Sequence, residues 1–167
     1  NDVGAAGKSY VVFGQKENNS PIKLSDIADG NGGFVIHGEE RGDQSGYSVS
    51  SAGDFNGDGL ADLIIGAYAA DPNDVGSAGK SYVVFGQKEN NSPIKLSDIA
   101  DGNGGFVING EAEADYSGNS VSSAGDVNGD GLADLIIGAY GADPNDVGSA
   151  GKSYVVFGQK ENNSPIE

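Results

Sequence analysis

The chain has 167 residues, among them 29 Gly and 5 Pro, with 20% charged residues and a formal net charge of −16. That charge argues against nucleic-acid phosphate or an anionic membrane surface as partner, and no apolar run approaches the ~18 residues of a membrane span. The absence of Cys excludes disulfides and thiolate metal sites, while abundant glycine with little proline reads as the turns and close packing of a folded β protein.

Repetition dominates the sequence. One 23-residue segment occurs at 1–23, 73–95 and 145–167, and between its copies lie two 49-residue stretches that differ at eight positions, giving a period of 72. Such near-identical copies suggest units that each rely on a neighbour. The start falls inside a repeat and carries no leader pattern, which leaves room for an export signal upstream of Asn1.

In chain order, 8–14 (Lys-Ser-Tyr-Val-Val-Phe-Gly) is predicted as a strand from its aromatic and β-branched content. A polar connection over 15–31 follows, with one helical turn at 24–27. Strands are next expected at 33–38 and at 47–52, the latter made mostly of small residues that suit a crowded place. Most differences between the 49-residue copies lie between Glu40 and Tyr47, which reads as a surface connection. After a loop at 54–62 come a buried strand at 63–67 and a loop at 68–78, and the first strand type returns at Lys80. Four short strands per period is the count of a propeller blade. The predicted fold is therefore all-β, built of four-stranded antiparallel blades as a partial propeller or tandem blade array. Residues 1–38 would hold the last two strands of one blade, 39–110 a complete blade, and 111–167 the first three strands of another, nine strands in all.

The loop at 54–62 carries the chemistry. Asp54, Asn56 and Asp58 place side-chain oxygens at every second position, Gly57 and Gly59 permit positive φ, and Asp62 closes the set. With the backbone carbonyl of Leu60, this oxygen-only set suits a hard cation, Ca²⁺ better than Mg²⁺, which keeps its waters and wants a stricter octahedron. The loop returns as Asp126, Asn128, Asp130, Leu132 (carbonyl) and Asp134, so two Ca²⁺ per chain are expected. An EF-hand would need a Glu at its twelfth position, where Ile65 stands, and a helix on each side. The alternative of a metal-free Asx turn is disfavoured because both copies carry the full ligand set.

The order Ser45-Gly46-x-Ser48-Val49, Gly53-Asp54-x-Asn56-Gly57-Asp58-Gly59-x-x-Asp62-Leu63-Ile64-Ile65-Gly66-Ala67, then Tyr82-Val83-Val84-Phe85-Gly86, resembles the FG-GAP repeat of integrin alpha-chain β-propellers and their bacterial relatives. The resemblance implies calcium ligands between the first and second strands of each blade, at the two sets of residues named above. Two name-giving positions depart from the family pattern. Its Phe-Gly is Ser45-Gly46 and Ser117-Gly118 here, and its Gly-Ala-Pro is Gly66-Ala67-Tyr68 and Gly138-Ala139-Tyr140. These departures bear on packing between blades and leave the metal loop untouched.

No catalytic constellation is found. His37 is the only histidine and is replaced by Asn109 in the second copy, so it reads as a surface strand residue. The serines lack a nucleophile elbow, and Gly30-Asn31-Gly32-Gly33 lacks the Lys of a phosphate loop. Asp71, Asp74, Asp143 and Asp146 read as turn caps in preference to a second cation site. Tyr68 and Tyr140 suggest either packing between blades or a sugar- or protein-binding platform. The expected protein is a non-enzymatic calcium-binding module, extracellular or at the cell surface, acting in adhesion or as a scaffold. Its partners would be copies of itself joined head-to-tail, further repeats of the same chain, or a protein or glycan ligand. The alternatives are an accessory propeller domain of a secreted hydrolase or phospholipase, and a carbohydrate-binding module.

Overall fold

The computed structural model describes residues 6–16, 20–88 and 92–160. Parts of the polar connections fall outside that range. Among the described residues, ten strands and two one-turn helices follow one another as β1 (Lys8–Val12), α1 (Leu24–Ala28), β2 (Gly33–His37), β3 (Ser48–Gly53), β4 (Asp62–Ala67), β5 (Lys80–Val84), β6 (Ile94–Lys95), α2 (Leu96–Ala100), β7 (Gly105–Asn109), β8 (Ser120–Gly125), β9 (Asp134–Ala139) and β10 (Lys152–Val156). The chain is all-β in architecture, with the expected helical turn present in both copies. Three-residue 3₁₀ turns at Pro72–Asp74 and Pro144–Asp146 shape the connections after β4 and β9.

The strands form three sheets. A central four-stranded antiparallel sheet has the order β3-β4-β5-β7, and the C-terminal sheet has the order β10-β9-β8. The N-terminal sheet pairs β1 with β2 antiparallel and adds β6 parallel to β2. β6 was not among the nine expected strands. It is a two-residue pairing, Ile36 with Ile94 and His37 with Lys95, made by the connection that leaves the central sheet and reaches back to the sheet before it. The same residues of the first copy include Ile22, which is exposed. The pairing therefore depends on a neighbouring sheet and leaves no local sequence pattern.

The central sheet is apolar on both faces, as a strand buried on both sides must be. One face sets Ile65, Tyr82, Val84 and Val107 against Phe34 and Ile36 of the N-terminal sheet. The other sets Ile64, Val83, Phe106 and Ile108 against Val121, Leu135 and Ile137 of the C-terminal sheet. A half-buried polar tie crosses the first interface, where Glu39 Oε2 accepts the Tyr82 hydroxyl at 2.5 Å and the Lys80 ammonium at 3.0 Å. Burial, and then the Glu39 carboxylate, push the Tyr82 phenol far above its ordinary value. Glu111, Lys152 and Tyr154 repeat this tie one period later, in a more exposed setting.

Close approach between neighbouring segments fixes several glycines. Ser45 and Ser117 are buried, and the Ser45 Cβ lies only 3.0 Å from where a side chain on Gly38 would begin. Gly38 therefore has no room for a side chain, the Ala6 carbonyl oxygen lying at 2.4 Å from the same point. Gly66 is the tightest position: a Cβ on it would sit 1.9 Å from the Gly118 carbonyl oxygen of the following unit. Its counterpart Gly138 has nothing nearer than 3.6 Å.

That contrast makes a paired experiment. In urea unfolding, Gly66→Ala is expected to destabilise the chain by about 1–3 kcal/mol, the usual cost of overpacking. Gly138→Ala, which meets only Ser120 at ordinary contact distance, is expected to stay within about 0.5 kcal/mol of the parent.

Candidate metal centre

Each candidate loop leaves a strand of small residues and enters a buried apolar one. In the first, Gly57 and Gly59 take φ of 75° and 86°, the left-handed values that let the chain turn inside its own side chains. The side chains then satisfy the backbone. Asn56 Oδ1 accepts the Asp58 N–H at 3.0 Å, Asp58 Oδ1 accepts the Leu60 N–H at 2.8 Å, and Asp54 Oδ2 accepts the Gly59 N–H at 3.0 Å. The Asn56 amide also donates to Asp58 Oδ2 at 3.2 Å. Asp54, Asn56 and Asp58 are thus gathered on one small loop, as their alternate spacing predicts.

Asp62 behaves differently. It is the first residue of β4, fully buried, and its two carboxylate oxygens accept the Phe55 N–H at 2.9 Å and the Gly86 N–H at 2.8 Å. Burial raises its pKa above the usual carboxylate range, and those backbone donors partly offset the rise. Asp134 repeats the arrangement, accepting from Val127 at 2.8 Å and Gly158 at 2.9 Å. The carboxylate is therefore a clamp between the loop and the end of the third strand of its own sheet. Nothing in the spacing of the loop reveals Gly86 or Gly158, which lie 24 residues further on.

The two loops differ in what stands beside them. Asp54 and Phe55 carbonyls accept the Ala133 and Gln159 N–H groups, both at 3.1 Å, so the first loop is braced by the C-terminal sheet. Under that brace, Asp54 Oδ1 is a buried carboxylate oxygen with no hydrogen-bond partner. In the second loop Asp126 Oδ1 accepts the Gly129 and Asp130 N–H groups at 2.7 and 3.1 Å, and Asp126 and Asp130 are exposed. Among the described residues, no three acidic or histidine side chains converge as a ready cation cage.

The other residues singled out from sequence fall elsewhere. His37 sits half-buried in β2 opposite Lys8. Asp71 Oδ1 caps a turn by accepting the Ser77 N–H at 2.6 Å, and Asp143 does the same for Ser149. Tyr68 and Tyr140 are joined by Tyr47 and Tyr116 into a continuous row. Centroid separations along it are 4.8 Å (Tyr47 to Tyr68), 6.1 Å (Tyr68 to Tyr116) and 5.1 Å (Tyr116 to Tyr140). The last pair is stacked within 7°, so its ring faces are turned onto each other. This row packs across from one unit to the next through Tyr68 and Tyr116, while Tyr47 and Tyr140 at its ends are 64% and 56% exposed. Tyr47 and Tyr116 were not marked from sequence, although the exchanges Gln44 to Tyr116 and Tyr47 to Asn119 between copies were visible.

Residues 45–84 and 117–156, which contain both loops and the strands around them, each match the family described as FG-GAP repeat. The chain belongs to the FG-GAP repeat family. Its relatives include integrin alpha pat-2 of Caenorhabditis elegans, 30% identical over 107 residues, and integrin alpha-PS5 of Drosophila melanogaster, 34% identical over 105. These alignments cover 64% and 63% of this chain but 8% and 9% of the relatives. Integrin alpha-E of Homo sapiens is 29% identical over 147 residues, or 83% of this chain and 11% of the relative. The chain thus spans about a tenth of the length of the integrin alpha chains it resembles.

The FG-GAP clamp can be tested apart from any metal. In chelator, Asp62→Ala leaves the Phe55 and Gly86 N–H groups buried without an acceptor, at about 1–3 kcal/mol for each. Chemical unfolding is expected to register a loss of about 2–5 kcal/mol, whereas Asp58→Ala, on the exposed rim, is expected to cost less than about 1 kcal/mol.

Proposed function

We propose that this chain is a calcium-stabilised, non-enzymatic blade module of an extracellular or cell-surface protein, acting in adhesion or as a scaffold. The observation that carries the reading is Asp54 Oδ1, a buried carboxylate oxygen left without a donor inside a loop of oxygen ligands. A buried charged oxygen with no partner is costly, and a cation is the partner that the surrounding donors suit. Asp54, Asn56, Asp58, the Leu60 carbonyl and Asp62 would hold one Ca²⁺, and Asp126, Asn128, Asp130, the Leu132 carbonyl and Asp134 a second. Three carboxylates in each set supply charge, and neutral oxygens complete the coordination, the hard-ligand chemistry calcium favours. A cation would also offset the desolvation that raises Asp62.

Membership of the FG-GAP family and likeness to integrin alpha chains support the adhesion class and the extracellular location. Loops of this kind in extracellular modules bind at ~10⁻⁴ to 10⁻³ M, which matches calcium outside cells and not the cytosol. We take residues 39–110 as a complete blade flanked by parts of two others.

Because ligand geometry and fold form together, bound calcium adds to stability, by roughly 2.7 kcal/mol per site at a hundred times its Kd. Titration calorimetry is expected to find two sites of unequal strength, the tighter being the braced first loop. Asp58→Ala should remove the tighter site and Asp130→Ala the weaker. A heat signal absent from the parent chain, or a melting temperature indifferent to chelator, contradicts the proposal.

A further inference from the structure

β1, β5 and β10 share one sequence, Lys-Ser-Tyr-Val-Val, yet they differ in company. β5 is paired on both edges, with β4 and β7. β1 is paired with β2, and β10 with β9; among the described residues the other edge of each carries no strand. The face beside the open edge of β10 is also bare. Val155 is 47% exposed where Val83 is 0%, and Ile136 is 38% exposed where Ile64 is 0%. Phe157, next in line, is half exposed.

The face in question occurs three times in the chain. On the N-terminal sheet it is Val11, Phe34 and Ile36, covered by the central sheet; on the central sheet it is Ile64, Val83, Phe106 and Ile108, covered by the C-terminal sheet. On the C-terminal sheet it is Ile136 and Val155. Among the described residues, this third instance alone lacks both a fourth strand and a cover.

We propose that a second copy of this chain supplies both, its β2 pairing with the open edge of β10 and its central sheet closing over Ile136 and Val155. The register follows from the pairs already made by identical strands. β1 sets Lys8 opposite His37 and Val12 opposite Gly33, so β10 would set Lys152 opposite His37 and Val156 opposite Gly33 of the second copy. The Phe157 N–H would then take the Gly32 carbonyl, as Phe13 does at 2.8 Å and Phe85 does with Gly104 at 2.9 Å. The second copy releases its own β1, but that lost pairing is replaced by the same five residues on the same strand. Burial of the open face is therefore the net gain. Every new contact continues an interface that already exists inside the chain, between β2 and β4-β5. The contact is head-to-tail, so it leaves a fresh open β10 at the far end and propagates. By the same correspondence the Asp126 carbonyl would accept the Ala61 N–H of the second copy, as the Asp54 carbonyl accepts that of Ala133, so the assembly is tested in chelator to keep it separate from the metal proposal.

The chain has no Cys, so paired cysteines report the contact directly. β2 and β10 belong to sheets on opposite sides of the central one, which rules out a bridge within one molecule. Mild oxidation of Lys152→Cys/His37→Cys is expected to give a covalent ladder at multiples of 16.8 kDa. Lys152→Cys/Phe34→Cys, three residues out of register, is expected to give none. Light scattering should find the parent assembled at high concentration and Val155→Asp monomeric with unchanged circular dichroism. A parent that stays monomeric with no ladder, a ladder equally strong out of register, or a folded Val155→Asp that assembles as before overturns the proposal.

Discussion

A sheet that is apolar on both faces exists only between two others. The central sheet sets large side chains on each side, Tyr82 and Val84 one way, Val83 and Phe106 the other, all essentially inaccessible to water. Fully burying such side chains contributes about 1.5–3 kcal/mol each, and none of that is available to an isolated blade. Stability here is accordingly a sum over neighbours, as in other repeat arrays. Gly66 against the Gly118 carbonyl, the Glu39 to Tyr82 tie and the two-residue β6 are devices that bring successive sheets close and fix their register.

The loops inherit this dependence. The first is braced by Ala133 and Gln159 of the following unit, and there the Asp54 carboxylate has one oxygen cut off from solvent and donors. The second, with the same ligand types, lacks a following unit among the described residues, and its Asp126 turns to the loop's own N–H groups. Identical chemistry thus stands in two electrostatic settings because of what packs beside it. Asp62 and Asp134 fasten each loop to its own sheet, so loop geometry and strand pairing rise and fall together.

Much of this was legible in the sequence. Period-two and β-branched patterns located β1 to β5 within one or two residues, and the alternate oxygens of Asp54, Asn56 and Asp58 located the loop. These signals are local, and local signals survive in a single chain of letters. The clamp from Asp62 to Gly86, the pairing of Ile94 with Ile36 and the need for a glycine at 38 are not local. Each is set by a residue tens of positions away or by the approach of another sheet. The tyrosine row lay between the two cases: its members were visible, but Tyr116 and Tyr47 occupy different places in their copies, so only the fold aligns them.

The account turns on cover from both sides, and hydrogen exchange resolved by residue in dilute, monomeric protein measures it most directly. The hydrogen-bonded amides of β4 and β5 are expected to exchange only through global unfolding, while those of β9 and β10 open locally at a markedly lower free energy. Equal protection across the central and C-terminal sheets would contradict the claim that each blade depends on its neighbours.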